Sequence, residues 1–293
     1  MSYLFVLFTI ILFSTLEVTG KWIGGEVDPI SITYLRFLTG GLFLLPFAIK
    51  SKAEKQIKLS GKEYAELSIL GVLNVTVAMF ALQLSIYYGK ASIAAILISA
   101  NPIFVGIFGR IILKEQVNIW QKIGIAVGLT GVAIIIFREN SHVACKNMEL
   151  GIIFGLISTV SFGLYTVLSK KYIKQYGNAV TNSVSFLAGG LCLLAIYPLL
   201  PFEYQPNIFN LKNIVAILYL GIFVSGIAYV SYFKGLEKIS AAKGAAFFFL
   251  KPILATILAY FFFGENINKI QILGIAVVLL GMMLQQRKTE AKK

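Results

Sequence analysis

Apolar residues are concentrated in ten long stretches of this chain, and polar residues lie mainly in the short segments between them. A membrane-spanning helix needs about 20 mostly apolar residues, because backbone polar groups in lipid must be hydrogen-bonded within the segment. The pattern therefore predicts an all-α integral membrane protein with ten transmembrane helices. We place them at 3–20, 29–49, 64–87, 91–113, 119–137, 149–169, 178–200, 213–233, 241–263 and 269–285.

Composition supports this class. The chain has 293 residues, of which 58% are hydrophobic and 13% are charged, and its mean hydropathy is +0.82. A soluble domain is closer to half apolar and about a quarter charged. These values exclude a soluble enzyme, a disordered chain and a disulfide scaffold, and they make the lipid bilayer the expected surrounding.

The net charge of +13 is distributed unevenly over the two sides of the predicted membrane. Of the 26 lysines and arginines, 18 fall on the side that holds both termini, six fall on the other side, and Arg36 and Lys251 fall within spans. Short loops rich in Lys and Arg stay in the cytoplasm. We therefore expect a multi-pass plasma-membrane protein with both termini cytoplasmic. The positive charge indicates orientation, and we expect no nucleic-acid partner.

The second half of the chain repeats the first. Residues 91–131 align with 241–281 at a constant offset of 150, and an earlier block aligns at an offset of 149. The identical pairs include Phe13/Phe162, Phe37/Phe186, Gly40/Gly189, Pro102/Pro252, Glu115/Glu265 and Gly131/Gly281. Each half holds five predicted spans, so the second copy enters the membrane from the opposite side. The sequence thus predicts two inverted five-helix repeats, 3–137 and 149–285, followed by a basic cytoplasmic tail at 286–293.

Inverted repeats of this kind place a substrate site at their interface near mid-membrane and suit alternating access. The motifs that carry the resemblance described next are Phe13-Ser14 and Lys21 in the first span, Arg36-Phe37 and Gly40-Gly41 in the second, and Ala91, Pro102 and Glu115 in the fourth and fifth. With the repeat, these residues resemble the EamA-type branch of the drug/metabolite transporter superfamily. The resemblance implies a metabolite exporter with a central cavity formed by spans 1–4 and 6–9 and with spans 5 and 10 at the periphery.

Three ionisable residues within spans are the first candidates for the site, because a charge inside a bilayer is costly and usually faces a cavity or a partner. Glu17 is a candidate for proton coupling or for binding a substrate ammonium group. Arg36 and Lys251 are candidates for binding an anionic substrate group. The alternative is a structural ion pair between Glu17 and either cation, or an Arg36 side chain that reaches towards the membrane surface.

Neutral polar residues within spans complete the candidate substrate site. Asn101 precedes Pro102 as Lys251 precedes Pro252, and each proline frees a backbone carbonyl at mid-membrane. The other candidates are Asn74, Tyr165, Tyr229 and Tyr232. Aromatic walls with few polar contacts suit a small amphiphilic metabolite. Ordinary hydrogen bonding between helices is the alternative for each of them.

Other kinds of site are disfavoured by the residues present. The single His142 and the separated Cys145 and Cys192 make a metal site improbable, and we expect no cofactor. No Walker A motif or clustered catalytic set is present, so we expect neither ATP-driven transport nor an enzyme. Spans 5 and 10 carry almost no polar side chains and are interpreted as packing helices, with a homodimer through them as a hypothesis.

The favoured hypothesis is a secondary transporter that exports a small polar or amphiphilic metabolite by alternating access. Glu17, Arg36 and Lys251 together suit a zwitterion such as an amino acid, and Glu17 suits exchange with protons. The alternatives are an organic-cation or drug efflux carrier, which would use Glu17 and the tyrosines, and a membrane receptor or scaffold that transports nothing.

Overall fold

The computed structural model describes residues 1–23, 26–89, 94, 97–137, 147–200, 206–251, 253–254, 257 and 269–286, and this part of the chain is helical with no strand. The helices are α1 Ser2–Trp22, α2 Pro29–Glu54, α3 Gly61–Tyr88, α4 Asn101–Ile112, α5 Ile119–Phe137, α6 Met148–Tyr176, α7 Asn178–Ile196, α8 Leu211–Leu236, α9 Ala241–Ala245 and α10 Lys269–Gln286. A 3-10 helix, Ala246–Phe249, continues α9.

Five of these helices, α2, α3, α6, α7 with its 3-10 extension to Leu199, and α8, are long and apolar enough to cross a membrane. Shorter apolar helical segments occur at Ser2–Leu16, Leu97–Ile112, Ile119–Ile134 and Ile272–Gln285. Much of the predicted ninth span lies outside the described residues, so the count of ten spans stays a prediction. The start of the predicted fourth span, at 91–93 and 95–96, also lies outside the described residues. The described residues of the other predicted spans fall on helices, and α2 and α6 continue beyond the predicted ends to Glu54 and Tyr176.

Side chains that cap backbone N–H groups explain where several helices begin. Asp28 Oδ1 accepts hydrogen bonds from the N–H groups of Ile30 and Ser31 at the start of α2. Ser60 and Glu63 form a capping box at the start of α3. Asn210 caps α8 in the same manner, by accepting from the Lys212 N–H.

The long helices cross at glycines, and the crossings occur in reciprocal pairs. Gly40 of α2 lies against Gly221 of α8, where an added Cβ would stand 2.8 Å from the Gly221 carbonyl oxygen. Gly189 of α7 lies against Gly71 of α3, with no room for a Cβ on either residue. Gly40 and Gly189 are equivalent at the offset of 149, and Gly71 and Gly221 at the offset of 150. The contact between Gly40 and Gly221 is therefore repeated by Gly189 and Gly71, with each residue replaced by its equivalent in the other half.

The middles of α3 and α8 are π-helical, over Val72–Met79 and Leu220–Ile227. A π-helix carries a wider turn than an α-helix, and such segments occur often at functional sites. The two segments occupy overlapping positions in the two sequence repeats, directly after Gly71 and around Gly221. The apolar stretches at 64–87 and 213–233 predicted transmembrane helices there without indicating a π-helical segment.

Helices α5 and α10 pack against each other at the edge of the molecule. Gly124 and Gly131 of α5 lie against Gly281 and Val278 of α10 at backbone distance. The largest hydrophobic core is built from other helices and includes no residue of α5 or α10. Within the described residues this agrees with their predicted role as peripheral packing helices.

Candidate functional site

An aromatic cluster lies at the centre of the molecule, around the ring of Tyr229. The Tyr229 ring centroid is 5.2 Å from that of Phe13, 5.8 Å from that of Phe37 and 5.0 Å from that of Phe186. All four side chains are buried. Phe37 and Phe186 are repeat equivalents, and their rings are in edge contact at 5.0 Å. The cluster therefore sits where equivalent positions of the two halves meet.

Polar groups from α2 and α3 face this cluster. Arg36 is only 2% exposed, and its guanidinium carbon lies 4.7 Å from the centroid of the Phe37 ring. The Tyr229 hydroxyl lies beside the amide of Asn74 and within electrostatic range of Arg36. Three of the residues predicted from the sequence are thus brought together, with a positive charge next to a hydroxyl, an amide and aromatic faces.

Tyr165 connects the cluster to a second polar group on α7. Its ring is 6.2 Å from that of Tyr229, and its hydroxyl donates to Asn182 Oδ1 at 3.3 Å. The Asn182 amide donates in turn to Asn178 Oδ1 at 2.6 Å, and the Asn178 amide donates to the Val230 carbonyl at 2.8 Å. This chain of hydrogen bonds leads from the molecule's centre towards the start of α7.

Several buried polar atoms at the centre make no hydrogen bond to any described residue. They include both amide atoms of Asn101, the Ser225 hydroxyl and the Tyr232 hydroxyl. Leaving a polar group buried and unpaired costs about 1–3 kcal/mol, so each such group in a native structure calls for an explanation. The Tyr232 ring lies 5.7 Å from that of Phe248, and the Phe248 ring lies 5.9 Å from that of Phe13. These contacts extend the candidate site from the Tyr229 cluster towards α9.

The two remaining predicted residues are only partly described. Lys251 is helical and half-buried. The backbone of Glu17 belongs to α1, but its side chain lies outside the described part of the chain, as does Pro252. The predicted pairing of Glu17 with Arg36 or Lys251 therefore falls outside what the structure describes.

A cavity of about 1160 Å³ opens at the end of the molecule that carries Lys55, Lys171 and Lys174, which we call the basic face. Its inner wall includes Phe233 and Asn178. The Phe233 ring lies 6.0 Å from that of Tyr165, so the cavity ends directly against the aromatic cluster. Among the described residues that line it, none comes from α5 or α10.

An ion pair stands in the wall of this cavity. Lys170 Nζ of α6 donates to Glu115 Oε1 at 2.7 Å and to the Ile239 carbonyl at 2.7 Å. The other oxygen of Glu115 accepts from the Ala241 N–H at 2.8 Å. The cluster joins the segment after α4 to α6 and to the start of α9. Sequence analysis identified Glu115 as a residue that recurs in the second half as Glu265, but it did not identify Lys170 as its partner.

The opposite face carries a second ion pair, outside the predicted spans. Lys212 Nζ donates to Glu26 Oε1 at 2.8 Å, and Asn213 donates to the other oxygen at 3.0 Å. Hydrogen bonds from Lys212 and Asn213 hold the pKa of Glu26 below its usual value. This pair fixes the loop before α2 to the start of α8.

Comparison with known proteins shows which family the chain matches. The model of the EamA-like transporter family matches the chain twice, at residues 1–137 and at residues 149–285. The chain belongs to the EamA-like transporter family. The resemblance noted from the recurring motifs is thereby confirmed, and membership of the drug/metabolite transporter superfamily follows.

Relatives of this EamA-like protein that match it over most of their length are described as uncharacterized transporters. An uncharacterized transporter of Clostridium kluyveri is 37% identical over 97% of this chain and 92% of its own. An uncharacterized transporter of Archaeoglobus fulgidus is 26% identical over 90% of this chain and 89% of its own. The uncharacterized transporter YyaM of Bacillus subtilis is 26% identical over 90% and 86%. The family is one of transporters and not of enzymes.

A crystal structure of another protein is similar to this EamA-like fold with a TM-score of 0.80. The match covers 97% of both chains at 18% sequence identity. At that identity the likeness concerns the fold alone. The apolar helices and the family together indicate a multi-pass membrane protein.

Proposed function

We propose that this EamA-like transporter exports a small zwitterionic or amphiphilic metabolite, with an amino acid as the specific substrate class, through the plasma membrane. The observation that carries the proposal is the buried Arg36 beside Asn74 and Tyr229. A cation in a buried site attracts an anionic group more strongly than a cation in water does, because the effective dielectric constant is lower there. A substrate carboxylate placed between Arg36 and the Tyr229 hydroxyl binds to both groups, and the aromatic faces accommodate an apolar side chain.

We further propose that the chain forms two inverted five-helix repeats of ten spans that work by alternating access. The reciprocal crossings of α2 with α8 and of α7 with α3 support this arrangement, because they relate equivalent contacts by one pseudo-two-fold axis. The central cluster, which contains the repeat equivalents Phe37 and Phe186, is then the fixed site between the two gates. The basic face is cytoplasmic in this proposal, and both termini lie on that side.

Transport by the purified protein in proteoliposomes tests the site. Arg36→Gln removes the charge while keeping a polar side chain, and we expect uptake of the amino acid found in a ligand-stability screen to fall about tenfold or more. Arg110→Gln is the matched control, since Arg110 is exposed at the end of α4. Equal uptake by Arg36→Gln and wild type would remove Arg36 from the substrate site.

Proton exchange through Glu17 is a separate part of the proposal. We expect Glu17→Gln to lose stimulation of uptake by a pH gradient while substrate exchange at equal pH continues. Glu149→Gln, at the exposed start of α6, serves as the control. A pH dependence in Glu17→Gln that matches wild type would contradict the coupling role.

The aromatic cluster also favours a second candidate, an organic-cation or drug efflux carrier, because the faces of Tyr165, Tyr229 and Phe37 suit a quaternary or protonated amine. Lys251→Ala separates the two functions. A zwitterion site should lose transport when Lys251 is removed, whereas a cation site should keep or gain it. Stabilisation by a ligand without any flux would instead favour a receptor or scaffold.

A homodimer through α5 and α10 remains our hypothesis for the assembly. Their glycine faces are already used within the chain, so a dimer would pair the opposite faces, which expose Ile123 and Leu273. Mass photometry of the protein in nanodiscs distinguishes a monomer of 32.2 kDa from a dimer.

A further inference from the structure

The cavity at the basic face has a chemistry of its own, distinct from that of the central site. Four lysines and two glutamates line it, so its lining carries a net positive charge. One of these lysines, Lys170, is already engaged by Glu115 at 2.7 Å. Lys55, Lys171 and Lys174 are exposed at its mouth. Phe43 and Phe47 of α2 form an apolar wall on the same cavity.

The amino-terminal end of α7 opens into this cavity. The helix has 19 residues, its cap residue is Gly177, and no side chain hydrogen-bonds to its first N–H groups. Asn178 and Ala179, the first residues of the helix, line the cavity. The first N–H groups of a helix and the positive end of its dipole attract anions. At the cavity they add to the charge of the lysines.

The repeat offers an internal comparison for this helix start. Gly177 is equivalent to Asp28 at the offset of 149. The Asp28 carboxylate caps α2, accepting from Ile30 N–H at 3.0 Å and from Ser31 N–H at 2.9 Å. At α7 the carboxylate is replaced by glycine, and Lys55 Nζ stands 3.9 Å from the point that a Cβ of residue 177 would occupy. The first half of the protein thus carries an anionic side chain at this helix start, and the second half has Lys55 close to the equivalent position.

We propose that this cavity binds a phosphate group, carried either by the headgroup of an anionic phospholipid or by a soluble phosphomonoester. Lys55 and Lys174, with the N–H groups at the start of α7, hold the phosphate oxygens through charge-assisted hydrogen bonds. Phe43 and Phe47 contact the glycerol or acyl part of the molecule that bears the phosphate. Basic pockets between helices on the cytoplasmic side of membrane proteins bind phospholipid headgroups in the same way. The proposal is independent of what the central site transports.

Binding to the full-length protein tests the proposal, at constant ionic strength. The soluble probes are inorganic phosphate and glycerol 3-phosphate, titrated by calorimetry in detergent. The lipid probe is phosphatidylglycerol, counted by native mass spectrometry after extraction from vesicles that also contain phosphatidylcholine. Binding of the soluble probes or retention of phosphatidylglycerol over phosphatidylcholine supports the proposal and identifies the source of the phosphate.

Paired variants decide whether the cavity is the site. The double substitution Lys55→Gln with Lys174→Gln should weaken phosphate or phosphatidylglycerol binding about tenfold or more, the effect of losing hydrogen bonds to charged groups. Lys58→Gln with Lys62→Gln removes the same charge from exposed residues that do not line the cavity, and it should bind as wild type does. Lys55→Arg with Lys174→Arg should restore binding.

Three results would overturn the proposal. They are no binding of any probe by the wild type, an equal loss in the two double variants, or acetate binding as tightly as phosphate. A failure of the central-site proposal would not affect these measurements, because Arg36 lies outside the cavity lining.

Discussion

Tyr229 is the residue at which the aromatic and polar parts of the central site meet. Its ring contacts three phenylalanines, and its hydroxyl lies beside Asn74. Packing and polar recognition are therefore carried by different atoms of one side chain. A substitution that removes the hydroxyl and keeps the ring separates these two contributions.

Tyr229→Phe should reduce transport about tenfold while leaving the melting temperature unchanged, because a hydrogen bond to a charged substrate group is lost and the aromatic contacts remain. Uptake in proteoliposomes and thermal unfolding of the purified protein measure the two effects. Tyr64→Phe is the control, since the Tyr64 hydroxyl lies at the surface near Lys52. Undiminished uptake in Tyr229→Phe would place the hydroxyl outside the transport path.

Single residues of the site were predictable to the extent that they stand out in an apolar span. Arg36, Asn74 and Tyr229 are conspicuous for that reason, and the structure brings them together. Asn182 was missed because it lies one turn from the start of α7, where polar residues are ordinary. Its hydrogen bond with Tyr165 depends on how α6 packs against α7. A local sequence pattern does not predict that packing. The identical pair Phe37/Phe186 was visible in the repeat, but the repeat did not show that the two rings contact each other at the centre of the molecule.

At the scale of helices, the glycine crossings set how closely α3 approaches α7. A Cβ on Gly71 would overlap the carbonyl group of Ser185, which is backbone and cannot rotate away. The helices would have to separate, and the π-helical segment that begins at Val72 would lose its packing against α7. This crossing is therefore the part of the element packing that is most sensitive to one added methyl group.

Gly71→Ala should destabilise the protein by about 1–3 kcal/mol, the usual cost of overpacking a close contact. Gly61→Ala is a matched control at the start of the same helix, where an added Cβ meets nothing within 4 Å. Equilibrium unfolding in mixed micelles compares them, and we expect only Gly71→Ala to lower the midpoint. Identical midpoints would mean that the crossing is looser than these distances indicate.

Hydropathy predicted the positions of the described helices well, but it did not predict which segments are π-helical. The fifth span was placed at the bounds of α5, Ile119–Phe137, because a run of apolar residues reports directly on burial in lipid. The π-helical middles of α3 and α8 were missed, since one extra residue in a turn changes the periodicity too little to be seen in an apolar segment. Both segments lie beside the close crossings at Gly71 and Gly221, which bring together residues far apart in the chain.

At the scale of the whole molecule, the Glu115–Lys170 cluster joins residues of the first half to residues of the second. Both side chains are about 80% buried, with exposed fractions of 18% and 20%. Interactions within such a network couple by about 0.5–3 kcal/mol. Alternating access requires contacts between the halves that form and break, and this cluster lies in the wall of the cavity that reaches the central site.

A double-mutant cycle with Glu115→Gln, Lys170→Gln and both together should give a stabilising coupling energy in that range. Thermodynamic unfolding measures it, and the exposed pair Lys50 and Glu54, 3.8 Å apart, provides a control expected to couple by less than about 1 kcal/mol. A coupling energy near zero at Glu115 and Lys170 would show that the two halves are held together elsewhere.

If the two halves are inverted, equivalent positions in them lie on opposite sides of the membrane, and this can be tested only by comparing two helices. Gly61 begins α3 and Leu211 begins α8, and the two positions are equivalent at the offset of 150. Both are exposed, so a cysteine at either position is accessible to a thiol reagent and leaves the Ser60 and Asn210 caps intact. In inverted repeats the two positions face opposite sides of the membrane, whereas in parallel repeats they face the same side.

We expect a membrane-impermeant maleimide to label Leu211→Cys in intact cells and to label Gly61→Cys only after the cells are permeabilised. Cys145 and Cys192 are replaced by serine in both variants, so that the introduced thiol is the only one present. We expect Gly61→Cys to be protected in intact cells because the side of the membrane that holds Gly61 carries 18 basic residues and is therefore cytoplasmic in the proposed orientation. Labelling of both positions from one side would contradict inversion, whereas exchange of the two accessibilities would keep the inversion and reverse the orientation.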